Sequence, residues 1–190
     1  MSDIWFTSDT HYHHKRILEF CRDTRRGDTY EEMTELAIEA YNSVVKRGDT
    51  VYHLGDFSFG GKSKIIDVKS KLNGQIHLIL GNHDRIISKS TELKMYFASV
   101  RHYRTITLAG YRFVLFHFPL AEWEDCHKGV IMLHGHTHGN KENLQYQQVF
   151  KFFDVGIDNR PDNKMLPWNI EEVINIVKNR DTMSHHSKTS

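Results

Sequence analysis

Histidine is the residue type that stands out in this chain, and many of its copies fall in short polar motifs. The sequence contains 14 histidines in 190 residues, which is high for this length. The motifs are Asp9-x-His11, Gly55-Asp56, Gly81-Asn82-His83-Asp84, His117-Phe118-Pro119 and Gly135-His136-x-His138. Their mixed oxygen and nitrogen donors suit divalent ions such as manganese, iron, zinc, cobalt or nickel. No thiolate is present in these motifs, which argues against a cysteine-rich structural zinc site.

The spacing within two motifs places paired donors two residues apart. On an extended segment, Asp9 and His11 project to the same side and can reach one ion, and His136 and His138 have the same spacing. Taken singly, each motif is weak evidence for a metal site, because a surface or core role or an ordinary turn also accounts for it. The prediction of a metal centre therefore depends on the whole set, because unrelated turns would not all carry metal-ligand side chains.

Each motif directly follows a predicted strand. These strands cover residues 4–7, 50–54, 76–80, 111–116 and 130–133. In open α/β sheets, ligands bind in the crevice beyond the carboxyl ends of the strands. We therefore expect five strand ends to converge on one site.

The remaining elements complete an α/β pattern. Thr29 and Glu32 form a capping-box signature for a helix that ends before Gly48, and a shorter helix is predicted over residues 65–72. A hairpin surrounds residues 109–110, a further strand covers 149–155, and Asn169 with Glu172 caps a final helix. The pattern predicts a layered α/β sandwich with two mostly mixed β-sheets flanked by helices.

Length and composition indicate one soluble domain. We expect residues 1–180 to form it and residues 181–190, which include His185 and His186, to be a flexible polar tail. A net charge of +1 and the lack of a long apolar stretch give no indication of a membrane or nucleic-acid partner. Two cysteines make no disulfide framework and no secretory signal is visible, so a cytoplasmic location is expected.

One basic cluster interrupts the even charge distribution. It comprises Lys15, Arg16, Arg22, Arg25 and Arg26. A solvated surface is the favoured interpretation, and a phosphate-facing patch is the alternative.

The five motifs, in this order, resemble the calcineurin-like metallophosphoesterase family. They span residues 9–138, most of the chain, and the short chain is similar to the small single-domain phosphodiesterase branch. The resemblance implies that Asp9, His11 and His138 bind one metal ion, that Asn82, His117 and His136 bind a second, and that Asp56 bridges them. Manganese is the expected ion, with iron, zinc, nickel or cobalt as alternatives.

The resemblance also implies a reaction. A hydroxide between the two ions would attack phosphorus, and His83 would stabilise phosphoryl charge or protonate the leaving oxygen. The chain departs from many family members at Phe59, where they carry an aspartate that orients the catalytic histidine. The group that orients His83 is therefore left open, and Asp84 is not assumed to do it.

The sequence also suggests roles for several residues that are not among the predicted metal ligands. His14 and Arg85 are candidates for substrate phosphate contacts, whereas Asp154 and Asp158 are interpreted as structural. The phenylalanines close to the motifs are interpreted as core residues: Phe57, Phe59, Phe116 and Phe118.

The leading hypothesis is a phosphoesterase acting on a small-molecule or nucleotide phosphoester, with diesters preferred. A nuclease using the same centre and a catalytically silent binding module of the same fold are the two rivals. The sequence does not specify the physiological substrate, the native metals or the oligomeric state.

Overall fold

The computed structural model of the protein describes residues 2–140 and 148–184. Its strands are β1 (Ile4–Thr7), β2 (Thr50–His53), β3 (Gln75–Ile79), β4 (Ser99–Arg101), β5 (Tyr103–Leu108), β6 (Tyr111–Phe116), β7 (Ile131–His134), β8 (Phe152–Asp154) and β9 (Trp168–Asn169). Its α-helices are α1 (Ile17–Phe20), α2 (Tyr30–Val44), α3 (Lys62–Lys71), α4 (Arg85–Lys89), α5 (Thr91–Lys94) and α6 (Ile170–Val177).

The strands form two mixed sheets. In the first, the order is β4-β3-β2-β1-β9, and β1 to β4 are parallel while β9 is antiparallel to β1. In the second, the order is β5-β6-β7-β8, and the β5–β6 hairpin joins a parallel β6-β7-β8 segment. The predicted α/β architecture with two mixed sheets flanked by helices is confirmed.

The side chains of the first sheet alternate between two apolar layers. Phe6 and Leu54 face the second sheet, where they pack with Phe113 and Leu133. Val51 belongs to the other layer, beneath the flanking helices. Since full burial of one such side chain contributes roughly 1.5–3 kcal/mol, the two layers hold the strand ends in fixed register.

The predicted helix caps are present, with one difference. The Thr29 hydroxyl accepts from the Glu32 N–H at 3.2 Å, but the Glu32 carboxylate accepts from the Asp28 N–H, so the reciprocal bond to Thr29 is replaced. At α6 both halves of the box form, because Asn169 accepts from Glu171 and donates its own N–H to Glu172. Helix α3 is also present, without a side-chain cap, so the predictions of all three helices are confirmed.

The last predicted strand is shorter in the structure than expected from the sequence. The predicted strand over 149–155 is limited to β8, because Val149 and Phe150 instead face Asp181, whose N–H donates to the Val149 carbonyl at 2.7 Å. The expected tail thus begins with a residue paired to the domain, and His185 and His186 lie outside the described residues. Across the described ranges, no helix is long and apolar enough to cross a membrane.

Candidate metal centre

The loops that follow the strands are joined to one another by backbone hydrogen bonds. Beyond the end of β1, the Asp9 and His11 N–H groups donate to the Gly55 and Asp56 carbonyls, each at 3.0 Å. In the second sheet, the Gly135 N–H donates to the His117 carbonyl at 2.9 Å. These bonds continue the strand pairing past the strand ends and bring the motif residues to one edge of the molecule.

Glycines in the motifs allow the loops to approach closely. A Cβ atom added to Gly81 would lie 2.3 Å from Asp56 Oδ1, and one added to Gly135 would lie 2.3 Å from Asp9 Oδ2. Gly55 has a φ of +102°, and a Cβ atom there would lie 2.7 Å from His117 Nδ1. A side chain at these positions would occupy the space of a candidate ligand, which explains the glycine before three of the five polar clusters.

The first donor group contains Asp9, His11 and His138. Both histidine Nε2 atoms lie 3.9 Å from Asp9 Oδ1, and the two imidazole rings stack with their centroids 5.1 Å apart. Ligand atoms of all three residues lie within 4.8 Å of one another, close enough for one ion placed between them to reach all three.

The second donor group contains Asn82, His117 and His136. Asn82 Oδ1 lies 3.0 Å from His117 Nε2 and 3.1 Å from His136 Nδ1. His117 is fully buried, and its Nδ1 donates to the Leu54 carbonyl at 2.7 Å, which leaves Nε2 facing the group. Such an outer hydrogen bond fixes the tautomer of a ligand histidine.

Asp56 lies between the two groups. Its Oδ2 atom is 3.6 Å from His11 Nε2 in the first group and 3.5 Å from His117 Nε2 in the second. Its other oxygen, Oδ1, accepts from the His83 backbone N–H at 2.8 Å. One carboxylate oxygen therefore faces both donor groups, as a bridging ligand requires.

Unpaired polar atoms at the first group match the requirements of a cation. Asp9 Oδ1 and His11 Nε2 are buried and have no hydrogen-bond partner among the described residues. Buried polar groups without a partner are rare and costly, of the order of 1–3 kcal/mol each. A divalent ion coordinated by these two atoms removes that cost, and the mixed donors fit borderline ions such as manganese, iron and zinc.

Strained backbone accompanies the candidate ligands and corrects the sequence-based geometry. Asp9, His11, Asp56, His136 and His138 all have positive φ values, from 48° to 71°. The prediction of extended Asp-x-His and His-x-His segments was therefore wrong. Backbone bonds to the neighbouring loop accompany this left-handed conformation at Asp9 and His11. His136 and His138 share the conformation and fall in different donor groups. Non-glycine residues in this conformation concentrate at functional sites.

His83 is exposed beside the two groups and packs against Phe59. The ring centroids are 5.1 Å apart, and the His83 backbone is held by its bond to Asp56. Asp84 is occupied elsewhere: it is buried and accepts from the N–H groups of Asp56, Phe57 and Gly81 at 2.8–2.9 Å. His83 therefore packs against the Phe59 ring, at the position where many family members carry an aspartate partner for the catalytic histidine.

The aromatic residues near the motifs divide between core and site. Phe57 is fully buried, as predicted. Phe59 and Phe118 are only half-buried, and Phe118 packs against the rings of His117 and His136 at 4.9 Å and 4.8 Å. Interpreting Phe59 and Phe118 as core residues therefore missed their contacts with the candidate ligands.

The two candidate substrate contacts differ in their neighbours. His14 is half-buried, and its ring lies 5.4 Å from that of His11. Arg85 is exposed at the first residue of α4, next to Asp84. His14 is therefore in ring contact with a candidate ligand, whereas the position of Arg85 is defined only by the helix that carries it.

Sequence reasoning missed an ion pair behind the first donor group. Arg25 is 5% exposed, so it does not belong to the exposed basic surface, and its guanidinium donates to both carboxylate oxygens of Asp158 at 2.6 Å and 2.9 Å. Asp158 in turn accepts from His138 Nδ1 at 2.7 Å. Arg25 also donates to the Asp9 and Thr10 carbonyls. The pair therefore braces both ends of the first group.

Charge and burial shift the pKa values around the centre. Burial raises the pKa of Asp9 to about 7, and burial together with the Arg25 charge lowers that of His11 to about 2. Burial opposes ionisation of Asp56 and His138 as well, but the hydrogen bond from His117 lowers the pKa of Asp56 to about 2. The hydrogen bond to Asp158 raises the pKa of His138 to about 11. The metal-free site thus carries a protonated His138.

A third cluster of possible ligand atoms overlaps the first group. Cys21 Sγ lies 3.6 Å from His138 Nδ1, and the ligand atoms of Cys21, His138 and Asp158 lie within 4.8 Å of one another. Arg25 already neutralises Asp158, and the Nδ1 atom already donates to it. This cluster is therefore better described as support for His138 than as a separate ion site.

Comparison with known proteins agrees with the geometry. A family model described as calcineurin-like phosphoesterase matches residues 2–186. The chain is 35% identical over 142 residues to the uncharacterized protein MJ1445 of Methanocaldococcus jannaschii, covering 74% of this chain and 72% of that protein. It is 33% identical over 188 residues to the gene 66 protein of Mycobacterium phage L5, covering 83% and 87% of the two chains.

A solved structure shares the fold. The protein AQ665 of Aquifex aeolicus superimposes with a TM-score of 0.71 at 23% sequence identity, and the match covers 93% of this chain and 100% of that one. At this level of identity the likeness concerns the arrangement of the sheets and helices.

Proposed function

Since the chain belongs to the calcineurin-like phosphoesterase family and is a metal-dependent phosphoesterase, we propose that it hydrolyses nucleotide-type phosphodiesters at a two-metal centre. The observation that carries the proposal is the position of Asp56, whose Oδ2 atom lies 3.6 Å and 3.5 Å from one histidine of each donor group. A single-ion site does not need a carboxylate that faces two separate sets of ligands.

The proposed ligands follow the two groups. Asp9, His11 and His138 would hold one ion, Asn82, His117 and His136 the other, and Asp56 both. Bound divalent ions, with manganese expected, would supply Lewis acidity, which polarises phosphoryl oxygens and lowers the pKa of water.

The protein's own groups then orient the substrate and move a proton. Hydrolysis joins a water oxygen to phosphorus and breaks one ester bond, and the departing oxygen takes up a proton. The exposed imidazole of His83, anchored through its backbone to Asp56, is placed to donate to a phosphoryl or leaving oxygen. Phe59 packs against His11 and Phe118 against His117, and both of these histidines are buried.

The shape of the site supports a diester. Asn82, His83 and His136 are exposed, so the centre opens to solvent along one side. A diester carries two substituents on phosphorus, and an open site accommodates both.

The experiment is a comparison of two chromogenic substrates with several metals. Metal-free protein is loaded with manganese, iron, zinc, cobalt or nickel, and the kcat/KM values for bis-p-nitrophenyl phosphate and p-nitrophenyl phosphate are measured. We expect the diester to be the better substrate and Asp56→Asn to lose about 1,000-fold or more, as expected when a metal ligand is lost. The matched control Asp67→Asn, an exposed position on α3, should retain activity. Hydrolysis of neither compound with any metal would overturn the proposal.

A further inference from the structure

A cavity of about 330 Å³ adjoins the candidate metal centre. Its lining includes the rings of His14 and Phe59, together with His13, Lys15, Arg16, Gly60 and Lys64. None of the described residues that line it carries a carboxylate. The lining therefore combines aromatic rings with cationic side chains.

The His14 and Phe59 rings connect the cavity to the donor groups. The Phe59 ring is 4.2 Å from that of His14, and both rings contact His11, at 5.5 Å and 5.4 Å. Phe59 also contacts His83 at 5.1 Å. A substrate that reaches the metal centre therefore has the cavity immediately beside the ester undergoing hydrolysis.

Two lysines of the lining, from distant parts of the chain, lie near the same Tyr30 ring. Lys15 Nζ lies 6.0 Å and Lys64 Nζ 5.4 Å from the centroid of the same Tyr30 ring. The absence of a side chain at Gly60 makes room for the Lys64 stem, since a Cβ atom there would lie 2.5 Å from Lys64 Cδ. Within the described ranges, neither ammonium group lies in an ion pair.

The other cation at this cavity is already neutralised. Arg16 pairs with Glu19 at 3.0 Å and lies over the Phe20 ring at 4.8 Å. Lys15 and Lys64 supply the positive charge that lies in no ion pair within the described ranges, and the Glu31 carboxylate lies within electrostatic reach of Lys64. Two ammonium groups beside aromatic rings suit a phosphorylated nucleoside. The ammonium groups attract the phosphate, and the rings can stack against the flat base.

We propose that this cavity is a subsite for a phosphorylated nucleoside next to the diester that is hydrolysed, with its phosphate held by Lys15 and Lys64. The proposal rests on the proposed phosphodiesterase function. It narrows the substrate class to nucleotides that carry a second phosphate, such as a 5′-phosphorylated dinucleotide.

The test compares the diadenosine dinucleotides pApA and ApA, which differ only in the 5′-phosphate. With manganese at low salt, we expect wild-type kcat/KM to favour pApA by about tenfold or more, and the preference to shrink as salt screens the charges. The double variant Lys15→Met/Lys64→Met should bring the pApA/ApA ratio close to one. The matched control Lys62→Met/Lys89→Met removes the same charge outside the cavity and should keep the wild-type ratio.

A binding measurement tests the subsite independently of the proposed function. Calorimetric titration of metal-free protein with pApA and with ApA does not depend on turnover. Tighter binding of pApA that the cavity variant loses would support the subsite even if no diester were hydrolysed. Equal wild-type values for pApA and ApA, in kcat/KM where turnover occurs and in affinity where it does not, would overturn the subsite. If bis-p-nitrophenyl phosphate were still hydrolysed, the proposed function would stand.

Discussion

His138 donates a hydrogen bond from Nδ1 to Asp158 Oδ2 at 2.7 Å, and the bonded carboxylate is itself paired with Arg25. The relationship fixes the imidazole so that Nε2 points toward Asp9. A carboxylate behind a ligand histidine sets the tautomer and increases ligand basicity. Here the carboxylate is also anchored by a buried guanidinium that holds the Asp9 backbone.

Asp158→Asn should therefore weaken metal binding at the first group. We expect affinity to fall about 10–100-fold, the usual effect of removing such a support. Chelator competition with manganese or zinc measures it, and the exposed Asp162→Asn provides the control. Unchanged affinity would contradict the supporting role.

The same substitution should also destabilise the metal-free protein, because Arg25 would be buried without its counter-charge. The expected loss is about 3–5 kcal/mol in the free energy of unfolding. Urea unfolding in EDTA measures it. A loss below about 1 kcal/mol would show that Arg25 is satisfied by the backbone carbonyls alone.

The stability of metal-free protein should decrease at alkaline pH. The pKa of His138 rises from 6.5 to about 11 on folding, so its contribution is complete below pH 6.5 and is lost as the pH rises through about 11. Urea unfolding in EDTA between about pH 7 and 10 should show this decline, and His138→Gln should flatten it. An equally steep decline in the variant would assign the effect to another group.

Gly81→Ala should displace the bridging carboxylate. The new Cβ atom would lie 2.3 Å from Asp56 Oδ1, whereas a Cβ atom added to Gly48 would have no neighbour within 4 Å, so Gly48→Ala provides the control. We expect Gly81→Ala to retain at most one metal equivalent and to lose activity about 100-fold, since a misplacement of about 1 Å costs that much. Metal analysis and kcat/KM check both. Two bound equivalents with full activity would show that the loop relaxes without effect.

His83→Gln should separate acid catalysis from metal binding. His83 contributes a backbone N–H, not a ring atom, to Asp56, so metal content should stay at the wild-type value. For a diester with a poor leaving group we expect kcat to fall about 100–10,000-fold, with a smaller loss for a p-nitrophenyl ester. Equal losses for both leaving groups would instead assign His83 to phosphoryl charge stabilisation.

Much of the centre could be predicted from the sequence because its motifs are local. Each cluster directly follows a strand, and the ends of parallel strands meet at one edge of a sheet. The short elements α1, α4, α5, β4 and β9 were missed because two to five residues do not establish a hydrophobic period.

Other features depend on contacts between distant residues. Arg25 and Asp158 are 133 positions apart, so nothing in their local sequences marks them as a pair. The left-handed backbone of Asp9 and His11 accompanies bonds to the loop after β2, which no two-residue spacing encodes. A buried arginine within a basic cluster likewise looks the same in sequence as its exposed neighbours.

The most direct test of the two-metal centre is anomalous diffraction from crystals of manganese-loaded protein. Two peaks are predicted, one among Asp9, His11 and His138 and one among Asn82, His117 and His136, with Asp56 in contact with both. A single peak in either group, or a peak at Cys21 with neither group occupied, would contradict the account.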